Sequence, residues 1–517
     1  MITNDSVNEL ILFINHSIIC HCCFSFRAIM LLILVIIFLL VTLIYAKYNS
    51  NYWRNRGVVQ VDRLLSKFIW SNRSISEIYK DLCNEYVKDS YIGVFFGTKP
   101  ALIIKDVRDI QYVMQGNFES FYSRGIISNP NDILADNVLF MGDYRRWKLL
   151  RHKLSPIFTS LKIKNMFYIM ERCARDFVEF VDSDEYVPDK TFNALYTYTT
   201  ACIGATLFGI DTQTKNTMES PFLEMTRESI EPSLVGNLKF ALASISPTLF
   251  NLFNLKQFGK YEDFFIGTVK RVFERRRNDK QKRHDFVDMC LELQKQGTMR
   301  DPVTGYEIEA TDEVLAAQAF FFFLAGVDTS ATVMHFALLE LASNKDVIKK
   351  VHEEIDRVFN ECDEKLTYDD IDKLEYLDMV MSETMRKYPP IGAIQRSCAK
   401  STVLPVGQVK VVKDDVIVIP IFAVHRDEKL YPNPEVFDPE RFSSENISKI
   451  VKFSYLPFGE GNRMCLGKFA RVQVKSGLAW LLRKYTLKEE KYEPKSFAPS
   501  FFSLRDSRAN FKLISRS

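Results

Sequence analysis

One long uncharged run stands near the start of the chain, ahead of a much larger stretch of mixed polarity. Residues 28–46 contain no charged side chain. A helix of that length spans about 28 Å, close to the roughly 30 Å hydrocarbon core of a bilayer. We therefore predict a single-pass membrane anchor helix at 28–46, a polar linker at 47–60 and a large body at 61–517. Basic residues follow the run closely, and the positive-inside rule then places the body in the cytosol.

Two alternatives exist for this run, a buried core helix and the apolar part of a cleaved signal. No small-residue cleavage site follows it, which favours a retained anchor. Residues 1–27, ahead of the run, are either a short lumenal extension or a wrongly assigned start of translation. Met30 directly precedes an apolar stretch, and we favour it as the initiator.

The body shows helical periodicity over most of its length, with short β-like segments between the helices. Thr311 is a suitable N-cap and two acidic residues follow it, so a long helix is predicted over 311–342. Residues 316–327 are apolar on nearly every side, which is typical of a helix that crosses a protein interior. We expect a mainly α protein with smaller β-sheets, an α+β fold. The other predicted elements are a strand hairpin over 91–105, helical segments from 143 to 300, helices over 344–360, 374–387 and 468–484, and strand-like alternation around 409–421.

Composition narrows the class of protein. Of the 517 residues, 47% are hydrophobic and 26% are charged, which excludes a largely disordered chain. The net charge is only +3, whereas a nucleic-acid-binding protein normally carries a clear basic excess, so no nucleic-acid partner is expected. The ten cysteines are scattered and do not resemble a disulfide framework, which indicates a reducing, cytosolic body. The 41 phenylalanines favour a large apolar interior or an apolar pocket.

A ten-residue motif near the C-terminus carries the strongest chemical signal. Residues 458–467 read FGEGNRMCLG, the pattern F-x-x-G-x-R-x-C-x-G. This motif resembles the haem-binding loop of the cytochrome P-450 family. The resemblance implies that Cys465 is the axial thiolate of a haem b iron, a ligand that favours O–O cleavage. It also implies cofactor-binding roles for Phe458, Gly459 and Arg463, with the Arg463 cation meeting a haem propionate.

An E-x-x-R pair precedes that loop by about eighty residues. Glu383 and Arg386 share one face of a predicted helix and can form an ion pair. The segment FDPERF at 437–442 resembles the P-E-R-F segment of the same family and adds Arg441. The resemblance implies a structural network of Glu383, Arg386 and Arg441 that holds the loops behind the Cys465 turn.

The middle of the long helix reads AGVDTS at 325–330, which is similar to the family's oxygen-activation motif. On this interpretation Gly326 leaves room for dioxygen and Asp328 is a proton source linked to solvent. Thr329 offers a hydroxyl or bonds back to a helix carbonyl. The alternative is a glycine and an Asp-Thr pair that serve helix packing. An acid among apolar residues is costly without a task, which favours the catalytic role.

Trp147 and Arg151 form a W-x-x-x-R pattern and lie one helical turn apart. In the family these residues bind a haem propionate, and some members use an arginine placed like Arg396 in the same way. The basic residues around Trp147 then place this helix on the face where an acidic reductase domain docks. A plain solvated basic face is the alternative.

The resemblance covers residues from about 50 to 515 and is greatest to insect microsomal members of the xenobiotic-metabolising clan. It implies a haem-thiolate monooxygenase of the endoplasmic reticulum membrane that inserts one oxygen atom of O₂ into a lipophilic substrate. Electrons would come from NADPH through NADPH-cytochrome reductase, with cytochrome b5 as an optional partner. Two other classes stay open, a reductase-independent isomerase or dehydratase and a degenerate haem-binding protein. One departure is the family's proline-rich hinge, since residues 58–75 contain no proline.

Overall fold

A computed structural model describes most of the chain after residue 50. The predicted anchor at 28–46 and the segment before it lie outside the described residues. The chain divides into two units between Gln60 and Val61. In the first unit, part of the predicted linker forms a 3₁₀ turn at Arg54–Arg56 and a two-residue strand, β1, at Val59–Gln60. The described residues are 51–62, 64–97, 99–184, 186–209, 221–230, 233–279 and 282–516.

The second unit is mainly helical with small sheets, as the sequence predicts. Its helices among the described residues follow in chain order. They are α1 (Leu64–Ser71), α2 (Ile75–Glu85), α3 (Val107–Gln111), α4 (Phe118–Phe121), α5 (Tyr144–Leu154), α6 (Ser160–Val181), α7 (Thr191–Phe208), α8 (Pro221–Ile230), α9 (Leu234–Ile245), α10 (Pro247–Leu252), α11 (Glu262–Arg277), α12 (Phe286–Gln296), α13 (Asp312–Ser343), α14 (Lys345–Glu361), α15 (Tyr368–Asp372), α16 (Glu375–Lys387), α17 (Ile421–Val424) and α18 (Lys468–Lys484).

The strands of this unit, among the described residues, are β2 (Tyr91–Phe96), β3 (Lys99–Ile104), β4 (Thr298–Arg300), β5 (Glu307–Glu309), β6 (Ile394–Ser397), β7 (Thr402–Val403), β8 (Lys410–Val411), β9 (Val416–Ile419), β10 (Tyr485–Leu487) and β11 (Leu513–Ser515). Four of them form the main sheet in the order β2-β3-β9-β6. The predicted hairpin over 91–105 is confirmed as the antiparallel pair β2–β3, and β9 then pairs parallel to β3 and antiparallel to β6. Strand β9 reads VIVI and is buried throughout, which fits a strand covered on both faces. The other strands form the antiparallel pairs β4–β5, β7–β8 and β10–β11.

Helix α13 is the long central helix that the apolar run predicts. The Thr311 side chain caps it by accepting a hydrogen bond from the Val314 N–H. Most of its side chains are buried, and it packs along α7. Within the described ranges it is also the one helix long and apolar enough to cross a membrane, but two-thirds of its most apolar stretch is buried inside the protein. It is therefore a core helix, as predicted.

Two local predictions differ from the structure. Residue 421, the last of the predicted strand alternation around 409–421, instead begins helix α17, which ends at residue 424. Pro420 precedes this helix and has no backbone N–H, so a sheet ladder cannot continue through it. The short helix α15 at 368–372 was not predicted. A capping box starts it, in which Thr367 and Asp370 bond to each other's backbone N–H groups.

Candidate active site

The cysteine loop folds back on itself through two backbone hydrogen bonds. The Cys465 N–H donates to the Phe458 carbonyl at 2.9 Å, and the Met464 N–H donates to the Gly461 carbonyl at 3.0 Å. Gly459 and Gly461 both have φ near +70°, a conformation that glycine adopts without strain. The Phe458 ring packs against Gly467, where a Cβ would collide with it. The motif glycines are thus required by the path of the loop.

We predict that Gly461→Ala prevents the loop from forming. Its φ is +70°, and a Cβ there would overlap the Met114 backbone carbonyl, which cannot swing aside as a flexible side chain can. Gly57→Ala is the matched control, because Gly57 has φ +71° and ψ +20°, a left-handed conformation, with open space around it. Only left-handed strain of about 1–2 kcal/mol applies there. The measurement is bound haem per purified protein, and equal retention in both variants would contradict the prediction.

The Cys465 side chain is accessible, yet it lies among enough protein atoms that burial raises the pKa of its thiol. A thiol that faces an open recess in the protein satisfies both observations. The cations of Arg151 and Arg124 and the N–H groups of Leu466 and Gly467 oppose the rise and favour the thiolate. The site therefore holds a cysteine that needs a positive partner to ionise fully.

Two buried arginines, Arg396 and Arg463, and the partly buried Arg124 surround the loop without a carboxylate. Arg463 donates to the carbonyls of Tyr122, Val138 and Met141. Burial lowers the pKa of Arg463 to about 8, that of Arg124 to about 9 and that of Arg396 to about 10. In the part of the chain that the structure describes, none of the three forms an ion pair. Buried cations normally carry a counter-ion, so this cluster fits a ligand with anionic groups.

The structure brings the other predicted propionate residues to the same loop. The Arg463 guanidinium lies 3.9 Å from the centre of the Trp147 ring, a cation–π contact. Arg151, one turn further along α5, donates to the Met464 carbonyl at 2.6 Å. Arg396 lies on β6, and its buried Nε has no hydrogen-bond partner among the described residues. An orphaned donor of this kind fits the anionic group that the arginine cluster calls for.

Arg124 was not predicted from the sequence. Its guanidinium donates to the carbonyls of Val138, Leu139 and Arg463. It therefore lies directly against the cysteine loop although more than three hundred residues separate the two in sequence. No local pattern around Arg124 signals this contact, because it arises only when the loop before α5 packs on the cysteine loop.

Glu383, Arg386 and Arg441 also meet. Arg386 donates from Nε and Nη2 to the two carboxylate oxygens of Glu383, at 2.7 and 2.8 Å. Arg441 Nε lies 3.4 Å from Oε1 of Glu383. Glu383 and Arg386 are completely buried, so the pair is a bidentate ion pair shielded from water. The role of these three residues in holding the loops behind the Cys465 turn stays a prediction.

Two other side chains bind the carboxylate of Asp328, the acid of the AGVDTS motif. Asp328 forms an ion pair with Arg505 and accepts a hydrogen bond from the Tyr196 hydroxyl. All three side chains are buried. Neither partner was predicted, since Tyr196 lies on α7 and Arg505 in the C-terminal segment. The predicted link from Asp328 to solvent stays a prediction, and in this conformation these two side chains enclose the carboxylate.

The rest of the motif lies on two faces of α13. The Thr329 hydroxyl donates back to the Ala325 carbonyl at 2.7 Å, one of the two options that the sequence allows. A Cβ at Gly326 would meet the end of the Ile203 side chain on α7, so a larger residue there requires that flexible side chain to move. The predicted role of Gly326 in admitting dioxygen stays a prediction. Ala325 and Thr329 are partly accessible one turn apart, and their shared face is the open side of the helix.

The phenylalanines before this motif mostly fill the core. Phe320 packs edge-to-face on Phe265 at 5.2 Å and on Phe258 at 5.0 Å. Phe322 packs in the same way on Phe286 at 5.6 Å. Much of the heavy phenylalanine usage thus builds the interior around α13, and only part of it remains to line a substrate pocket.

The sequence of this chain is similar to those of a known protein family. The sequence model of the cytochrome P-450 family matches residues 64–513, and the chain belongs to that family. Its members bind haem and are oxidoreductases that incorporate oxygen from O₂. The arginine cluster and the accessible thiol fit such a cofactor.

The similar proteins are insect enzymes, as the sequence motifs indicate. The chain is 32% identical to cytochrome P-450 6B7 of Helicoverpa armigera over 468 residues, which cover 88% of this chain and 91% of that protein. It is 34% identical to probable cytochrome P-450 6a13 of Drosophila melanogaster over 494 residues, or 92% and 96% of the two chains. It is 34% identical to cytochrome P-450 6a2 of the same fly over 455 residues, or 84% and 89%.

Proposed function

We propose that this protein is a membrane-bound haem-thiolate monooxygenase that inserts one oxygen atom of O₂ into a lipophilic substrate. The observation that carries the proposal is the accessible Cys465 thiol, surrounded by buried or partly buried arginines that have no carboxylate partner among the described residues. That arrangement is unfavourable in isolation and becomes favourable when a dianionic haem b supplies both the iron and the two carboxylates. Arg124, Arg396 and Arg463 would hold the carboxylates.

The protein's own residues have separate tasks in this proposal. Bound haem supplies the oxygen chemistry, and the cysteine thiolate favours cleavage of the O–O bond. The Cys465 N–H bond to Phe458 and the glycine turns fix where the sulfur lies. Asp328 provides a carboxyl group for proton transfer inside the core, and its contacts with Arg505 and Tyr196 hold that group in place. Thr329 releases its hydroxyl from the Ala325 carbonyl to pass that proton on.

Electrons would reach the site from NADPH through NADPH-cytochrome reductase, with cytochrome b5 as an optional partner. Helix α5 carries a basic side chain on its exposed face at Arg145, and Met464 beside it is also exposed. An acidic reductase surface would fit this face. The proposed location is the endoplasmic reticulum membrane, with the body in the cytosol. Four exposed apolar side chains on or next to α9 and α10 support contact with lipid: Val235, Leu238, Leu252 and Phe253.

The proposed substrates are lipophilic xenobiotics or endogenous lipids and hormones. The test is incubation of the membrane-bound protein with reductase, a lipophilic panel and ¹⁸O₂. We expect product that carries one ¹⁸O atom and that forms only with NADPH. Product formed from peroxides without NADPH would instead support an isomerase or dehydratase. Absence of turnover across the panel would support a degenerate haem-binding protein.

Asp328→Asn should separate electron use from product formation. The amide cannot release a proton, and a positioned general acid typically contributes about 10²–10⁴-fold. We expect product formation to fall by about 10²-fold or more while NADPH consumption continues and yields hydrogen peroxide. Asp285→Asn is the matched control, because Asp285 is an equally buried aspartate paired with Arg276 outside the site. Coupled turnover in the Asp328 variant would contradict this role.

A further inference from the structure

A buried histidine lies between the Glu383–Arg386 ion pair and the cysteine loop. His425 follows helix α17 directly and is completely buried. It belongs to no motif that the sequence analysis singles out. Burial lowers the pKa of its imidazole to about 3, so the ring is neutral at physiological pH. Both ring nitrogens have partners, and those partners belong to two different parts of the site.

The two hydrogen bonds of the ring fix its tautomer. The Leu456 N–H donates to Nε2 of His425 at 2.9 Å, so Nε2 carries no proton. Nδ1 therefore carries the proton and donates to the Arg386 carbonyl, also at 2.9 Å. In return, Arg386 Nη1 donates to the His425 carbonyl at 2.9 Å. The ring thus donates to the Arg386 carbonyl on helix α16 and accepts from the Leu456 N–H just before the cysteine loop.

These bonds continue into the loop that carries the cysteine. Leu456, whose N–H is held by His425, accepts a hydrogen bond from the Gly459 N–H at 3.0 Å. Phe458, between them, accepts from the Cys465 N–H at 2.9 Å. An unbroken series of hydrogen bonds and short chain segments therefore runs from the Glu383 carboxylate through Arg386 and His425 to the backbone of Cys465.

We propose that His425 is a positioning residue that ties the cysteine loop to the buried Glu383–Arg386 pair and so fixes the Cys465 thiolate for haem binding. The proposal rests on the function proposed above. The imidazole suits the task because it spans two backbone segments with a donor on one side and an acceptor on the other. Replacing a residue whose hydrogen bonds orient a metal ligand typically changes metal affinity or activity by about 10–100-fold.

Three substitutions separate the two bonds. His425→Phe keeps a ring and removes both bonds. His425→Asn places an amide near the Nδ1 position and keeps a donor toward Arg386. His425→Gln reaches further and keeps an acceptor toward Leu456. If the bond to the cysteine loop is the important one, glutamine should rescue function better than asparagine.

His335 provides a matched control within the same core. It is also completely buried, and its Nε2 bonds to the Ala509 carbonyl at 2.9 Å. Burial lowers the pKa of this imidazole to about 4, so it is neutral as well. It contacts the C-terminal segment and not the cysteine loop. His335→Phe and His335→Gln therefore report the effect of removing a buried histidine from the fold alone.

The experiment records the CO complex of each reduced, membrane-bound protein together with its thermal unfolding temperature. A thiolate ligand gives a red-shifted Soret band, whereas a protonated or displaced sulfur gives an unshifted one. We expect His425→Phe and His425→Asn to lower the ratio of shifted to unshifted band by about tenfold or more. His425→Gln should retain most of the shifted band. The His335 variants should lower the unfolding temperature and leave the band ratio unchanged.

Two results would overturn the proposal: a wild-type band ratio in His425→Phe and His425→Asn, or an equal loss of ratio in the His335 variants. If His425→Phe does not accumulate, the order of the glutamine and asparagine variants decides the question. An unshifted band already in the unmutated protein would instead refute the proposed haem-thiolate function, and the unfolding data would then report the structural bond alone.

Discussion

Cys465→Ser is expected to abolish the red-shifted CO band and reduce product formation to the background rate. The serine hydroxyl has nearly the shape of the thiol, but it stays protonated and does not bind iron as a thiolate does. The loop should still form, because its fold depends on the Cys465 backbone N–H and the glycine turns. The measurement is the reduced CO spectrum of the purified variant, followed by NADPH-dependent turnover.

Cys362→Ser is the matched control for this change. Cys362 is partly buried at the end of α14, where its thiol donates to the Phe359 carbonyl, a bond that a hydroxyl can also make. The control should keep both the shifted band and turnover. A shifted band in Cys465→Ser would show that another residue supplies the thiolate.

Glu383→Gln should have the second largest effect, on stability. The substitution leaves the Arg386 cation completely buried with only carbonyl partners and with Arg441 still close by. Removing one member of a buried ion pair typically costs about 3–5 kcal/mol, which is a large part of the usual 5–15 kcal/mol free energy of unfolding. We expect poor accumulation and a much lower urea midpoint, measured by intrinsic fluorescence.

Glu361→Gln provides the comparison on the surface. Glu361 pairs with Arg357 at 3.2 Å on α14, and both side chains are exposed. Surface pairs of this kind contribute about 0–1 kcal/mol, so the urea midpoint should hardly move. A Glu383→Gln protein as stable as this control would contradict the structural role of the network.

Local sequence patterns predicted the elements whose folding depends on nearby residues. The N-cap at Thr311 and the all-round apolar character of 316–327 give helix α13, and the turn at Gly97 gives the β2–β3 hairpin. The cysteine loop could be predicted for the same reason. Its glycines, its arginine and its cysteine lie within ten residues, and the structure uses the glycines for backbone turns within that stretch.

Contacts between distant segments could not be predicted in this way. Three contacts join segments that only the tertiary fold brings together. They are the contacts of Arg124 with the cysteine loop, of Arg505 with Asp328, and of His425 with Leu456. Each of these side chains is common in solvent-exposed loops, and no periodicity marks it as buried. Gly326 is a similar case. Its neighbours in the sequence indicated a dioxygen site, whereas in the structure its Cβ direction faces Ile203. The partners that surround a motif therefore had to come from the structure.

One CO difference spectrum of the full chain in membranes with reductase, recorded first with NADPH and then with dithionite, shows most directly whether Cys465 binds haem iron as a thiolate. We expect a red-shifted Soret band that develops fully with NADPH, because Cys465 binds the iron as a thiolate and the reductase delivers electrons to it. A band that remains unshifted with both reductants would contradict the haem-thiolate proposal, since the cysteine would then be protonated or displaced from the iron.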